Sequence, residues 1–260
     1  MIEFFQMLWV QCGSNEAYNL LKQSIVSTIV KLATCIMDSN ETVQVDSLLN
    51  FAVPLIKHST DINKPESVYL LEEGLSLWLT VLSHVNVLSP GLLSIYPHIT
   101  AIMSNSFEHT KIAMKILEEY LVLGKAEFLK LYLQEMLFVL DNTLGNVKDL
   151  PTLWTLKPVE LFVQLFPKEG AAPLQNILSK LVFEFLFDDQ VHDQVAAHTL
   201  AIFCRLLLDN KEFFFGFFNQ ISQSPLNKQR ENLVYKFVDV LLEKVKIINY
   251  VCFNIFSLIL

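Results

Sequence analysis

Residues 69–85, YLLEEGLSLWLTVLSHV, constrain the fold more than any other part of the chain. Their apolar positions follow the three-and-four spacing of an α-helix in two adjacent stripes, whereas the polar positions, among them Glu72 and Glu73, form one narrow stripe. About two-thirds of this helix is therefore apolar, more than the single band of a surface helix. Glycine costs about 1 kcal/mol relative to alanine inside a helix, so we expect a neighbouring helix to approach the bare backbone at Gly74.

The rest of the chain repeats this kind of pattern between short polar, proline or glycine segments. We expect Pro54 to kink the last turn of its helix, Ser89 to be an N-cap with Pro90 in the first helical position, and Gly124 to be a C-cap. Period-two alternation never persists, so no strand is predicted. The predicted helices cover residues 2–12, 18–36, 42–58, 69–85, 89–103, 108–123, 126–140, 152–166, 172–187, 191–208 and 213–221, and a last one starts near residue 228.

The spacing of these helices indicates a repeat protein. The first helices of successive pairs begin near residues 18, 65, 108, 149, 191 and 228. The interval is about 37 to 47 residues, the range of HEAT and armadillo repeats. One antiparallel pair cannot cover its own apolar surface, so pairs stack around a continuous core. The sequence predicts an all-α HEAT/armadillo-type superhelix, a single solenoid over residues 1–260 with five to six helix pairs.

Both ends of the chain are apolar where a repeat array normally carries a polar outer face. The first helix would expose Phe4, Phe5, Leu8 and Trp9, and residues 247–260 read IINYVCFNIFSLIL. We therefore expect a piece of a longer array, the tail being an inner helix cut from its covering repeats or an altered, truncated terminus. A signal peptide is not expected, since Glu3 stands where a positive charge belongs. The tail is too short to cross a bilayer, and no other membrane span is expected.

The charge balance and the positions of the cysteines argue against a nucleic-acid-binding protein and against a disulfide or zinc site. The chain has 27 acidic and 19 basic residues and a net charge of −8, without a Lys/Arg cluster, so a nucleic acid is not an expected partner. The acidic excess would attract basic proteins, although solubility alone also explains it. The four cysteines, Cys12, Cys35, Cys204 and Cys252, lie far apart in apolar helical contexts. They are interpreted as core residues, without a disulfide or zinc site.

No catalytic, cofactor or metal-binding residue is predicted. The GxSxG, HExxH and P-loop patterns do not occur, and the six histidines do not converge, His192 and His198 falling on opposite faces of a helix. The acidic turn Asp188, Asp189 and Asp193 is interpreted as helix capping with a favourable helix-dipole contact. The run FFFGFF at residues 213–218 is interpreted as core or as a partner groove. We expect no enzyme and no cofactor, and the residues that bind protein partners stay unknown.

Three stretches carry a family likeness: WVQC at residues 9–12 with the helix LLKQSIVSTIVKLATCI, then LEEGLSLWL at 71–79, then HTKIAMKILEEYLVLGKAEFLKLY at 109–132. Over about residues 1–245 the chain resembles the carboxyl-terminal half of a karyopherin of the importin-β superfamily. The resemblance implies a nuclear transport receptor that shuttles between nucleus and cytoplasm. It would bind protein cargo on a concave face, hold nucleoporin Phe-Gly repeats between outer helices, and respond to the GTP-bound GTPase Ran. No Ran-binding residue is carried over, because that surface belongs to the family's amino-terminal repeats.

Two alternatives stay open. The first is a HEAT-repeat scaffold that assembles a kinase, phosphatase or vesicle complex unrelated to transport. The second is an enzyme with a site between repeats, which would need convergent polar side chains in one deep cleft. The spacing of polar residues does not indicate such a cleft.

Overall fold

The computed structural model describes residues 2–13, 15–38, 42–187, 191–225, 227 and 232–256, and the described backbone is helical or in turns, without a strand. The all-α prediction is confirmed. The helices are α1 Ile2–Cys12, α2 Asn19–Asp38, α3 Thr42–Ser59, α4 Ser67–Leu82, α5 Pro90–Leu93, α6 Pro97–Asn105, α7 Thr110–Asn146, α8 Leu150–Leu165, α9 Gln175–Lys180, α10 Asp193–Asp209, α11 Lys211–Ser222 and α12 Leu233–Phe256, with a 3-10 turn at Glu16–Tyr18 and a π-helix at Leu181–Leu186.

The chain divides into two compact units, residues 1–139 (unit 1) and residues 140–260 (unit 2). Each unit buries its own apolar core between packed helices. The single solenoid expected over residues 1–260 stays a prediction.

Helix α4 is the centre of unit 1, as its two apolar stripes predict. It packs against both α2 and α3, and Leu75, Leu77 and Trp78 are fully buried. At Gly74 the neighbouring chain comes so close that an added Cβ would stand 2.8 Å from the Cβ of Ser59, at the end of α3. The expectation that another helix approaches the backbone at Gly74 is therefore confirmed.

A buried aromatic cluster joins α4 to the helices that follow it. The Trp78 indole N–H donates to the Tyr120 hydroxyl at 3.2 Å, and that hydroxyl donates to the backbone oxygen of Leu92. The Tyr96 ring packs against Tyr120 and Phe128 with centroid distances of 5.2 and 4.7 Å. Burial raises the pKa of both Tyr96 and Tyr120, so both hydroxyls stay protonated at neutral pH.

Two helix predictions in unit 1 need correction. Residues 89–103 were expected to form one helix, but they form α5 and α6, because Pro97 removes a backbone donor and starts a new helix. The Ser89 cap is confirmed: its hydroxyl accepts from the Leu92 N–H at 3.2 Å. The break near residue 124 also exists, but the positive φ of 43° falls on Lys125. Gly124 instead permits close packing, since a Cβ there would stand 2.6 Å from the Phe128 Cβ.

Unit 2 is built around α10, which packs against α8, α11, α12 and the π-helix. The run at residues 213–218 supplies its core: Phe214, Phe217 and Phe218 are buried, and Phe203 lies against the last two. The core interpretation is confirmed for these three, whereas Phe215 on the same helix is 46% exposed. The helix expected over 172–187 begins at residue 175 and ends in the π-helix.

Two features near the ends of the chain, the apolar stretch Glu16–Met37 and the last helix, were not foreseen in this form from the sequence. The stretch Glu16–Met37 is long and apolar enough to cross a membrane by length and composition alone, which the sequence interpretation did not expect. Its Ile25, Val26 and Ile29 are buried in unit 1, and core helices meet the same criterion, so this is weak evidence for a span.

Helix α12 starts at Leu233 and continues to Phe256. The side chains of the apolar tail, residues 247–260, lie outside the described part of the structure.

Candidate protein-binding surfaces

A groove on unit 1 is the first candidate site, and we refer to it as the acidic groove. The first turns of α4 form one wall, and the end of α6 with the turn before α7 forms the other. Its volume is about 480 Å³. The lining residues are Gln23, Ile62, Ser67, Val68, Tyr69, Leu71, Glu72, Glu73, Ile102, Asn105, Ser106, Glu108 and His109.

Three carboxylates, Glu72, Glu73 and Glu108, give the acidic groove its charge, and within the described residues no lysine or arginine lines it. The Gln23 amide donates to Oε1 of Glu73 at 2.6 Å and holds that carboxylate in place. The other oxygen, Oε2, is buried without a hydrogen-bond partner among the described residues. The Glu73 carboxylate is therefore fixed at the wall of the groove, with its second oxygen out of contact with solvent.

Apolar side chains stand beside these carboxylates. Val68 is 84% exposed and Tyr69 is 48% exposed, although both lie in the first turn of the most deeply buried helix of unit 1. The acidic groove thus offers negative charge and apolar contact area within one concave surface, which is the combination found at protein-recognition sites.

A buried ion pair supports the helix that forms this groove. The Lys22 ammonium, 1% exposed, contacts the Glu66 carboxylate at 2.8 Å, just before α4 begins. His58 Nε2 lies 3.4 Å from the second Glu66 oxygen, and the Trp9 ring packs edge-on against the His58 ring. The hydrogen bond from Lys22 lowers the pKa of Glu66, and burial lowers the pKa of His58. These groups hold four segments of unit 1 together and do not line the groove.

Unit 2 carries a second candidate site, which we refer to as the unit 2 cleft. It has a volume of about 500 Å³ and lies between the end of α7, the start of α8, the π-helix and the start of α10. Phe183, Phe185 and Val191 are half-buried parts of its wall, and Lys148 and Glu184 are exposed at it. A π-helical turn of this kind often accompanies a binding site, because it shifts side chains out of the regular helical register.

Asp149 lies at the same cleft in a strained conformation, with φ 58° and ψ −122°. A positive φ is costly for a residue with a Cβ, and such residues cluster at ligand sites. Sequence reasoning missed both the strained aspartate and the π-helix, because neither has a local pattern distinct from an ordinary helix start or an apolar helix. The prolines around α8 predicted only where helices end and begin, not a binding site.

The histidines and acidic residues singled out by the sequence have structural roles. His192 is the N-cap of α10, accepting from the Gln194 N–H at 3.2 Å, and burial lowers the pKa of His198. Asp193 was expected to cap this helix and to interact favourably with its dipole. The cap is His192 instead, but Asp193 lies in the first turn, where its charge complements the dipole, and it pairs with Lys244 at 2.6 Å. Asp188 and Asp189 lie outside the described residues. Within the described ranges no group of three or more His, Cys, Asp or Glu side chains could hold a metal ion.

The cysteines divide by exposure. Cys12 is buried and Cys204 is half-buried, in line with a core interpretation, but Cys35 is exposed on α2. The expectation that it is a core residue is wrong, because its apolar neighbours in sequence face a different side of the helix. The side chain of Cys252 lies outside the described residues.

The fold and these surfaces define a class, that of helical-repeat proteins whose candidate sites are grooves between helices. A family model described as "Importin-11-like, TPR repeats" matches residues 23–251, and the chain belongs to this importin-11-like family. The predicted HEAT/armadillo-type class of the karyopherins is thereby confirmed.

Individual relatives agree with this assignment. The chain is 27% identical to Importin-11 of Mus musculus and of Homo sapiens over 244 residues, which is 94% of this chain and 24% of each relative. It is 22% identical to Importin beta-like protein kap113 of Schizosaccharomyces pombe over 165 residues, 62% of this chain and 17% of that protein. The chain therefore spans about a quarter of the length of the importin-11 relatives. No solved structure matches it.

Proposed function

We propose that this chain is a segment of an importin-β family nuclear transport receptor, which binds protein cargo during Ran-dependent import and shuttles between nucleus and cytoplasm. The observation that carries the proposal is the importin-11-like family match over residues 23–251. Two grooves between helices, one acidic and one with an apolar wall formed by Phe183, Phe185 and Val191, support a binding role.

The unit 2 cleft is the proposed site for nucleoporin Phe-Gly repeats. Its half-buried Phe183, Phe185 and Val191 provide an apolar wall against which a phenylalanine ring could pack. Aromatic side chains contribute large contact area and prefer offset or edge-on partners, so two phenylalanines in one wall suit an incoming ring. The acidic groove is proposed for cargo instead, because its described lining has three carboxylates and no lysine or arginine, whereas the lining of the unit 2 cleft contains Lys148 as well as Asp149 and Glu184.

Binding to Phe-Gly repeats tests this proposal. The full chain is titrated with a labelled peptide of several Phe-Gly repeats and with a Ser-Gly peptide of equal length. We expect binding of the first peptide only. Phe185→Ser should weaken it, whereas Phe215→Ser, which removes a ring 46% exposed on α11 and outside the cleft, should leave it unchanged.

A second experiment distinguishes a transport receptor from the scaffold alternative. Cargo complexes recovered from nuclear extract are challenged with Ran-GTP and, in parallel, with Ran-GDP. Release by Ran-GTP alone supports the transport proposal. A stable complex insensitive to Ran-GTP, together with no Phe-Gly binding, would overturn it in favour of a scaffold.

A further inference from the structure

We propose that the outward side of α1 is a dimer interface, on which α1 of a second copy of this chain packs in the antiparallel direction. The interface consists of the exposed residues Glu3, Phe4, Met7, Val10 and Gln11, and we refer to it as the α1 face. At about 100° per residue, these five positions lie within an arc of roughly 120° centred on Met7. The inference goes beyond the proposed function and does not depend on it.

The opposite side of α1 attaches the helix to unit 1. There Cys12 is buried, Phe5 is half-buried, and the Trp9 ring packs edge-on against the His58 ring with a centroid distance of 5.3 Å. These contacts place α1 against α2 and α3. The α1 face therefore points away from unit 1, where another molecule can reach it.

The side chains of the α1 face are mostly apolar. Phe4, Met7 and Val10 are 54%, 60% and 76% exposed. A helix that covers a core with one side normally carries charged and polar residues on the other. In α1, however, the single charged side chain is Glu3. Neighbouring apolar side chains in solvent, unlike scattered ones, mark an interaction surface.

The order of residues along the α1 face is self-complementary. Two antiparallel copies related by a two-fold axis at Met7 bring the two Met7 side chains together and place Phe4 of each copy against Val10 of the other. Glu3 of each copy then faces Gln11 of the other, whose amide can donate to the carboxylate. A parallel pair would instead bring two Glu3 carboxylates together. A two-fold interface requires such self-complementarity, so the occupant is a second copy of the chain.

The size of the α1 face indicates a weak dimer. The three apolar side chains expose roughly 300 Å² per copy, less than the area that a stable complex buries. We therefore expect a dissociation constant on the order of 10–100 µM. The net charge of −8 on each copy opposes association, so screening by salt should strengthen the dimer.

Sedimentation equilibrium of the full chain tests the proposal. Between about 5 and 200 µM protein, we expect the average mass to rise from that of the monomer towards that of the dimer. The rise should be larger in about 500 mM NaCl than in about 50 mM. A mass that stays monomeric at both salt concentrations would overturn the dimer and leave the α1 face to a different protein. Association that salt weakens would overturn its apolar basis.

A carboxylate introduced on the α1 face locates the interface. Val10→Glu should lower the dimer affinity by at least about tenfold, because it places charge among the paired apolar side chains. The matched control is Val87→Glu, between α4 and α5, since both valines are 76% exposed and both changes add one negative charge. The control should stay within about twofold of the unmodified chain. Equal losses in the two variants would mean repulsion by net charge alone and would overturn the α1 face as the interface.

A gain of affinity tests the antiparallel direction. Gln11→Lys should strengthen the dimer by about threefold to tenfold, because two new ammonium groups each face a Glu3 carboxylate of the other copy. Val87→Lys makes the same change in net charge away from the interface and should stay within about twofold. Misfolding of the variant cannot produce such a gain. A weaker dimer with Gln11→Lys would overturn the antiparallel alignment, since in a parallel pair the two ammonium groups would repel each other.

Discussion

Gly74 of α4 lies against Ser59 at the end of α3, so closely that a Cβ on the glycine would stand 2.8 Å from the serine Cβ. The serine hydroxyl is itself held in place, donating to the backbone oxygen of Leu55 at 2.7 Å. The two helices can therefore pack at this distance only while residue 74 has no side chain.

Replacing this glycine should destabilise unit 1. Gly74→Ala is expected to lower the free energy of unfolding by about 1–3 kcal/mol, because the added methyl group overpacks the contact with Ser59. The matched control is Gly216→Ala within α11, where a Cβ would meet nothing within 4 Å. There alanine should stabilise by about 0.5–1 kcal/mol through helix propensity. Urea unfolding measures both, and a stabilising Gly74→Ala would contradict the packing argument.

Breaking the buried Lys22–Glu66 pair should be costly. Lys22→Met leaves the Glu66 carboxylate without its 2.8 Å partner, and we expect a loss of about 3–5 kcal/mol. Lys22→Met/Glu66→Leu should recover most of it, since the double variant leaves no unpaired charge. Lys180→Met, which opens a pair 31% and 44% exposed, should cost about 1 kcal/mol or less. Chemical denaturation tests this, and equal losses for both lysine variants would argue against a special role of burial.

Stability should fall in two steps on acidification. Burial lowers the pKa of His58, His98 and His198, so the unfolded chain binds protons more readily than the folded chain. The stability from neutral histidines is complete above about pH 6.5 and is lost as the pH falls towards the folded pKa values. The hydrogen bond from Lys22 lowers the pKa of Glu66, whose contribution is present above about pH 4.3 and lost below it.

Unfolding free energies measured at several pH values from about 8 to about 3 test both steps. His98→Gln should make the first step shallower, because a side chain that does not titrate replaces one of the three histidines. A stability that stays constant between about pH 7 and 5 would contradict the prediction.

Removing the Tyr120 hydroxyl should loosen the aromatic cluster. Tyr120→Phe leaves the Trp78 indole N–H and the Leu92 carbonyl without this partner, at a cost of about 1–3 kcal/mol. Tyr235→Phe is the control, since Tyr235 is 71% exposed and its change should stay within about 0.5 kcal/mol. Thermal unfolding followed by tryptophan fluorescence measures the effect, and indistinguishable midpoints would count against the hydrogen-bonded chain.

The sequence predicts elements that depend on local periodicity and capping. The helix around Trp78 and the Ser89 cap follow from residues close together in the chain, and both are present. The single helix over 89–103 was wrong because apolar periodicity continues through Pro97, whereas the backbone cannot. Gly124 was taken for a C-cap by residue type, although packing against Phe128 explains why glycine is needed.

Most of the candidate site could not be predicted in this way. Glu73 was placed correctly on a polar stripe, but its contact with Gln23 joins residues 50 positions apart, and no spacing rule relates them. The burial of Lys22 could not be predicted either. Lysine is normally solvated, and its burial here is explained by its partner Glu66, 44 positions away in the sequence. The groove arises where α2, α4 and α6 meet, which tertiary packing decides.

The Lys22–Glu66 pair also limits how α2 and α4 can be aligned. A slip of one turn along either helix would move the ammonium and the carboxylate apart by about 5.4 Å and break their 2.8 Å contact. Such a slip costs more than the native alignment, in which the two buried charges are paired. The Lys22–Glu66 pair thus selects one alignment of α2 against α4.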